Sequence, residues 1–268
     1  MRHPWAHAEA YESYVGRWSR LVATTFLEWL GARPSAAWLD LGCGTGALTD
    51  AILKQTAPST VRGEDPSEAQ IAYARRHVVD PKVWFAIGNA MAIASPDDSY
   101  DYVVSALALN FIPDLSKGMA EMKRVTREGG SIAGYVWDYA NGMELLRYFW
   151  DVATELDSTA KDLHEGIRFP ICAPEPLQDL CARAGLRNIE VVPIDVRTTF
   201  VDFDDYWSPF LGGQGPAPEY TMSLPEVERD RLRDLLNERL PKEPDLTIRL
   251  TARAWAFRAR HDSLIPLE

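Results

Sequence analysis

The segment 38-WLDLGCGTGALTDA-51 decides how the rest of the chain is interpreted. Apolar residues lead into Asp40, and three glycines then occupy alternate positions before a helix-like run. Glycines between a strand and a helix let the backbone approach a ligand closely, and they leave the N–H groups of the helix N-terminus exposed. Asp65, about twenty residues farther along, is placed to hold ribose hydroxyls at the end of the next strand. The segment therefore predicts a nucleotide-like ligand at a strand-to-helix turn.

The glycine spacing alone fits two classes of cofactor. Gly42, Gly44 and Ala47 also satisfy the dinucleotide fingerprint G-x-G-x-x-G/A, so an NAD(P)-dependent oxidoreductase is an alternative. Asp40 lies two positions before the glycines, where a carboxylate would repel a pyrophosphate but tolerate a cationic ligand. This charge argument favours a positively charged cofactor, although Asp40 could instead brace the turn. The oxidoreductase alternative also lacks a Tyr-x-x-x-Lys pair in this sequence.

Composition limits the kind of protein and its partners. A chain of 268 residues, 46% of them hydrophobic, is long enough for one large α/β domain with an insertion, or for two small ones. The formal net charge of −11 argues against nucleic acid or an anionic membrane as the main partner. The apolar runs fall short of a bilayer span and the N-terminal stretch lacks an apolar signal core, so we expect a cytoplasmic protein. Three cysteines without metal-ligand spacing are expected to be buried or half-buried thiols, and no metal site is predicted.

Short β-like runs alternate with helical stretches from residue 36 onward, which is typical of βαβ units in a mostly parallel sheet. We therefore predict a doubly wound α/β fold of the Rossmann-like type. Its parts are a helical N-terminal cover over residues 1–35, the sheet domain over 36–200 and 246–268, and an insertion over 201–245. The insertion opens with aromatic residues just before a glycine-rich stretch, and it is interpreted either as a lid over the acceptor pocket or as a packed embellishment of the sheet.

Four blocks of the sequence resemble the class I S-adenosylmethionine-dependent methyltransferases, in particular the small-molecule branch of the ubiquinone/menaquinone-biosynthesis type. In chain order they are WLDLGCGTGALT, VRGEDPSEAQIAYAR, AIGNAMAIASPDDSYDYVVSALALNFIPD and GMAEMKRVTREGGSIAGYVW. Each block alone is a weak signal, but four blocks in the family's order and spacing are a strong one. With the preceding helix YVGRWSR they extend over about residues 11 to 138. The resemblance implies a seven-stranded sheet whose last strand is antiparallel.

The resemblance also implies where S-adenosylmethionine would lie, across the carboxyl ends of the first strands. Carried over position by position, the family's cofactor contacts fall on Tyr14, Arg17, Asp40, Gly42, Cys43, Gly44, Asp65, Pro66, Gln70, Asn89, Ala90, Met91 and Leu107. Asp65 would bind the ribose hydroxyls, and Asn89 would stand where most relatives carry an aspartate beside the adenine. An amide oxygen can still accept the hydrogen bond of the adenine amino group, so the assignment to Asn89 is kept.

The acceptor is expected to be a small, apolar or aromatic molecule. Its predicted contacts are Trp137, Tyr139, His164, Tyr206, Trp207 and Phe210. Methyl transfer from a sulfonium is an in-line displacement, so the protein must mainly align the acceptor and exclude water. No catalytic residue is assigned, because Asn110 stands where relatives often have histidine. The stretch LNFIPD also departs from the N/D/S-P-P-aromatic motif of nucleic-acid amino methyltransferases, while a protein substrate is kept as an alternative.

Overall fold

The computed structural model describes residues 16–212 and 215–262, which form a single seven-stranded sheet with helices on both faces. The strands are β1 Ala37–Leu41, β2 Thr60–Asp65, β3 Val83–Ile87, β4 Tyr100–Ala106, β5 Thr126–Trp137, β6 Arg187–Phe200 and β7 Ile248–His261. The helices are α1 Arg17–Leu30, α2 Ala47–Thr56, α3 Glu68–His77, α4 Leu115–Val125, α5 Glu144–Leu156, α6 Glu165–Arg168, α7 Pro174–Arg183, α8 Phe203–Trp207, α9 Pro216–Ser223 and α10 Glu226–Arg239.

The strand order is β3-β2-β1-β4-β5-β7-β6. Strands β1 to β5 pair in parallel, whereas β7 runs antiparallel between β5 and β6. The order reverses direction at β1, so the chain leaves β1 on one side and β4 on the other and opens a crevice at their carboxyl ends. Ligands of doubly wound sheets bind at such a reversal. The predicted fold class, including the antiparallel last strand, is confirmed.

Local sequence signals explain why the helices around this crevice begin where they do. Helix α3 is capped by Ser67, whose hydroxyl accepts a hydrogen bond from Gln70 N–H, and α4 is capped by Asp114 in the same way through Lys117 N–H. Such caps satisfy N–H groups that the first helical turn leaves without partners. Helix α1 ends at Gly31, which adopts the left-handed conformation that glycine allows at no steric cost. The caps of α3 and α4 fix the turns after β2 and β4, which border the crevice.

Helix α5 carries a large part of the core, and the sequence patterns did not predict it. Phe149 and Trp150 on this helix are buried, and Phe149 stacks on Phe210 with 4.6 Å between ring centroids. Tyr206 donates a hydrogen bond from its hydroxyl to the carbonyl oxygen of Leu145, at 2.9 Å. The segment 201–245 lies between β6 and β7 in the chain, and its described residues pack on α5 through an aromatic cluster.

The three cysteines are buried free thiols, as the sequence predicts. Within residues 16–212 and 215–262, no helix is long and apolar enough to cross a membrane. The same residues contain no group of three or more His, Cys, Asp or Glu side chains that could hold a metal ion.

Candidate active site

A cavity of about 370 Å³ opens at the carboxyl ends of β1, β2 and β4. This volume lies in the usual range for small-molecule sites. The residues around it are Leu41, Gly42, Gly44, Glu64, Asp65, Pro66, Gln70, Gly88, Asn89, Ala90, Met91, Ala106, Leu107, Ala108, Phe111, Ile112, Pro113, Trp137 and Tyr139. Eleven of the predicted contacts are among them: Gly42, Gly44, Asp65, Pro66, Gln70, Asn89, Ala90, Met91, Leu107, Trp137 and Tyr139.

The glycine turn after β1 forms the floor of the cavity. Gly42, Gly44 and Gly46 all have positive φ, at 73°, 53° and 88°, a region that side chains disfavour. A Cβ on Gly42 would lie 2.4 Å from Cβ of Ala108, so this position has no room for a side chain. A Cβ on Gly44 would meet nothing within 4 Å, which shows that the backbone here is open toward the cavity. The turn thus offers a ligand a bare stretch of backbone, as a methionine or ribose moiety requires.

Asp65 closes the same turn from the end of β2. Its Oδ2 accepts a hydrogen bond from Gly44 N–H at 3.0 Å, and its Oδ1 accepts one from Ser67 N–H at 2.8 Å. These bonds hold the carboxylate against the glycine turn and fix its orientation in the cavity wall. Each carboxylate oxygen can accept a further bond, so the geometry suits a pair of neighbouring hydroxyl donors.

The loop after β3 forms another wall. Asn89, Ala90 and Met91 line the cavity, and Asn89 Oδ1 accepts a hydrogen bond from Met91 N–H at 2.9 Å. This Asx-type turn orients the loop but already uses one acceptor position of the amide oxygen. Leu107 lies opposite, at the carboxyl end of β4, and adopts a φ of 57° although it is not glycine. Such a conformation costs free energy and occurs preferentially in ligand-binding sites.

Asp40 does not reach the cavity, which corrects the argument that its charge faces the cofactor. Its side chain is fully buried (0% exposed), and Thr49 donates a hydrogen bond from Oγ1 to Asp40 Oδ2 at 2.6 Å. The bond links β1 to the first turn of α2, so Asp40 braces the glycine turn from behind. Burial raises the pKa of this carboxyl from its ordinary 3.8 to about 7, and the nearby charge of Asp65 acts in the same direction.

Two further predicted contacts lie outside the cavity wall, and one cannot be placed. Arg17 forms an ion pair with Asp205, with 2.9 Å between Nη1 and Oδ1, and its guanidinium lies over the Phe200 ring. The arginine therefore ties α1 to the insertion instead of pointing at the turn. Cys43 contributes its backbone to the turn, while its thiol packs in a small separate core cluster. Tyr14 lies outside the described residues.

The end of the cavity beside β4 and β5 is aromatic. Phe111, Trp137 and Tyr139 line it. Phe169 stands behind two of these rings, with its centroid 5.3 Å from that of Phe111 and 6.0 Å from that of Tyr139. Such distances are typical of edge-to-face and tilted aromatic pairs. The rings give the cavity a flat, apolar end close to the glycine turn.

Four residues assigned to the acceptor from sequence are placed elsewhere by the structure. Tyr206, Trp207 and Phe210 are buried in the cluster on α5, because this insertion packs its aromatic face inward. His164 caps the short helix α6, where its Nδ1 accepts a hydrogen bond from Gly166 N–H, and burial lowers its pKa below 6.5. None of the four lines the cavity, so their assignment to the acceptor pocket is corrected.

The sequence analysis missed Glu64, Phe111 and Phe169. Glu64 directly precedes Asp65 in VRGED and could have been noticed as a second carboxylate at the same strand end. Phe111 lies in LNFIPD, which ends one of the four blocks, but no role follows for it from the resemblance. No local signal identifies Phe169, because it comes to lie behind Phe111 and Tyr139 only through the packing of the segment between α5 and α7.

A seven-stranded sheet in this order, with a glycine turn after β1 and an acidic residue ending β2, defines the class I methyltransferase fold. Residues 39–134 match a family model described as "Methyltransferase domain". Among curated relatives, methyltransferase GfsG of Streptomyces halstedii is 34% identical over 194 residues, covering 67% of this chain and 64% of the relative. A demethylmenaquinone methyltransferase of Lysinibacillus sphaericus is 32% identical over 38% of this chain and 45% of the relative. A sterol 24-C-methyltransferase of Gibberella zeae is a further relative. The matches cover about a third to two thirds of the length of these three relatives.

Solved structures agree on the fold. A putative methyltransferase from Bacillus halodurans superposes with a TM-score of 0.60 over 90% of this chain and 99% of that one, at 16% identity. A phosphoethanolamine N-methyltransferase 2 of Haemonchus contortus, in complex with phosphomonomethylethanolamine and S-adenosylhomocysteine, has a TM-score of 0.60 at 17% identity, over 96% of this chain and 57% of that one. Residues 39–134 therefore match a methyltransferase domain, and the chain shares the fold of these solved methyltransferase structures.

Proposed function

We propose that this protein transfers a methyl group from S-adenosylmethionine to a small, apolar or aromatic acceptor. The observation that carries the proposal is that the glycine turn, the Asp65 carboxylate and the 89–91 loop share one cavity with an aromatic wall. The first three features suit the parts of a nucleoside cofactor, and the fourth suits a flat acceptor beside it. When bound, the cofactor would supply the activated methyl group on a sulfonium.

The residues of the chain fit this cofactor in shape and in charge. Gly42 and Gly44 provide bare backbone for the methionine and ribose moieties, and Asp65 is oriented to accept hydrogen bonds from the ribose. Two carboxylates, Glu64 and Asp65, line the cavity, whereas no lysine, arginine or histidine does so among the described residues. A cavity with this balance attracts a cationic sulfonium and disfavours a pyrophosphate, which argues against the oxidoreductase alternative.

The same charge balance restricts the acceptor. A phosphorylated or carboxylated molecule would meet the cavity carboxylates, with no described cationic side chain in the lining to pair with it. Neutral or cationic acceptors carry no such cost, and the rings of Phe111, Trp137 and Tyr139 offer a flat apolar contact. Apart from the two carboxylates, Tyr139 is the titratable side chain in the described lining. An acceptor that attacks directly, such as a neutral amine or an enolate-like carbon, needs no base from the protein.

Calorimetric titration with S-adenosylhomocysteine, S-adenosylmethionine and NAD tests the cofactor. We expect the two sulfur nucleosides to bind at the same site and NAD not to bind. A screen with radiolabelled S-adenosylmethionine against quinols, phenols, amines and protein extracts tests the acceptor, and label should enter the small molecules. Binding of NAD alone would overturn the proposed chemistry, and label found only in protein would replace the proposed acceptor by a protein substrate.

A further inference from the structure

Glu64 is a buried carboxylate in the cavity wall to which neither the sequence patterns nor the family resemblance gives a role. It precedes Asp65 at the end of β2, lines the cavity, and is 1% exposed. A carboxylate is costly to bury unless a partner compensates for its lost hydration. The structure supplies such a partner for one of its two oxygens.

That partner is Arg62, two residues earlier on the same face of β2. Its Nη2 forms an ion pair with Glu64 Oε1, and its guanidinium stacks over Trp84 with 4.4 Å to the ring centroid. Trp84 lies beside Arg62 in the register of β2 and β3. The stacking holds the arginine in place, so the ion pair also fixes the orientation of the Glu64 carboxylate. Oε2 is buried and has no hydrogen-bond partner among the described residues.

The position of Oε2 is defined by Gly88, which ends the turn out of β3. A Cβ added to Gly88 would lie 2.4 Å from Glu64 Oε2, so the carboxylate rests against bare backbone. Gly88 leads directly into Asn89, Ala90 and Met91, the loop proposed to border the purine. Glu64 Oε2 therefore lies beside the backbone that leads into this loop, whereas Asp65 is bonded to the glycine turn.

The hydrogen-bond acceptors near the proposed position of the purine differ in the donors that they already bind. Asn89 Oδ1 accepts a hydrogen bond from Met91 N–H, and both oxygens of Asp65 accept backbone N–H groups. Glu64 Oε2 is a charged acceptor at the same wall without such a bond. Hydrogen bonds to charged acceptors are stronger than those between neutral groups, and a buried acceptor without a partner is destabilising. A donor on the ligand would remove that cost.

We propose that Glu64 Oε2 accepts a hydrogen bond from the exocyclic 6-amino group of the purine of the cofactor, and that it selects 6-amino over 6-oxo purines. The proposal rests on the proposed function, because it assumes that a purine nucleoside occupies the cavity. An amino group at position 6 donates to the carboxylate, whereas a 6-oxo oxygen places a second acceptor against it. The carboxylate would thus reject the 6-oxo base by repulsion as well as by a lost bond.

The experiment compares S-adenosylhomocysteine with S-inosylhomocysteine, its 6-oxo analogue, by calorimetric titration of the full chain. The wild type should bind the 6-amino ligand about ten-fold or more tightly than the analogue, the factor expected of a hydrogen bond to a charged group. Glu64→Gln presents an amide that can donate to a 6-oxo oxygen as well as accept from a 6-amino group. This variant should bring the two dissociation constants to within about three-fold of each other.

Glu68→Gln is the matched control, because it removes the same charge from an exposed position on α3 outside the cavity lining. It should keep the preference of the wild type. A purely structural role for Glu64 would weaken both ligands equally and leave their ratio unchanged in Glu64→Gln, which would overturn the proposal. Equal binding of both ligands by the wild type would overturn it without any variant. If S-adenosylhomocysteine itself fails to bind the wild type, the proposed function fails instead.

Discussion

Replacing Asp40 by asparagine should flatten the pH dependence of folding stability. The carboxyl is fully buried behind the glycine turn, and its Oδ2 accepts the hydrogen bond of Thr49. Asparagine has nearly the same shape, and its amide oxygen can accept the same bond without becoming charged. The difference between the two side chains therefore lies in whether a buried group must ionise.

The size of the effect follows from the raised pKa of Asp40, about 7 in the folded protein against 3.8 ordinarily. Since the folded state keeps its proton to higher pH than the unfolded chain, stability is greatest below the ordinary value and falls as pH rises toward 7. Each pH unit in that window is worth about 1.4 kcal/mol. Between about pH 5.5 and 7 the ionisation of Asp40 should therefore lower the free energy of unfolding by roughly 2 kcal/mol, and Asp40→Asn should lack that loss.

Urea denaturation followed by tryptophan fluorescence, at about pH 5.5 and about pH 8, measures this difference for wild type and variant. Glu165→Gln serves as an independent comparison, because burial also raises the pKa of Glu165 to about 7 and its Oε2 accepts a hydrogen bond from Trp150. Each variant should remove its own share of the pH dependence, and the double variant should remove both, since the sites are independent. If Asp40→Asn loses as much stability as the wild type over this range, then the ionisation of a buried Asp40 does not cause the loss of stability.

Three further predictions concern the cavity and the insertion. Asp65→Ala should weaken the binding of S-adenosylhomocysteine by about 1.5 to 3 kcal/mol, as measured by calorimetry, because charge-assisted hydrogen bonds to the ribose are lost. Unchanged affinity would show that Asp65 does not bind the ribose. Phe169→Ala removes the ring behind Phe111 and Tyr139, so it should raise the KM of an aromatic acceptor, or admit larger acceptors, with cofactor affinity unchanged. Ile167 is exposed on the same segment, so Ile167→Ala is the control. Identical kinetics in the two variants would contradict the assignment of Phe169 to the aromatic wall. Trp207→Ala should destabilise the fold by about 3 to 5 kcal/mol in thermal or urea unfolding while leaving cofactor affinity intact, because the ring lies in the core. Wild-type stability with reduced turnover would instead favour the interpretation of the insertion as a lid.

The parallel part of the sheet and a ligand-binding turn after β1 could be predicted from the sequence. These features depend on short-range signals: the period of apolar residues, the glycines after β1, and the acidic residue that ends β2. Gly44 and Asp65 meet because the carboxyl ends of neighbouring parallel strands lie at one edge of a sheet. Local pattern and strand order are sufficient to bring such residues together.

Helix α5 lies outside those signals and was not predicted. The segment containing Phe149 and Trp150 follows the blocks of the family resemblance, so no motif directed attention to it. The missing helix also affects the interpretation of the insertion, because the aromatic residues of the insertion pack against it. Without α5, Tyr206 and Phe210 look like exposed rings beside a hinge; with it, they are the inner face of a packed layer.

The directions of particular side chains, and the contacts between residues far apart in the chain, could not be predicted from the sequence. From the sequence, Asp40 is a charged residue just before the turn, but its hydrogen bond with Thr49 of α2 holds it behind the turn. Phe169 packs behind Phe111 from a segment far along the chain, and Arg17 is held by Asp205 on the insertion. Such long-range contacts depend on how whole elements pack, and packing is set by the combined shape of many side chains, which no short window of sequence contains.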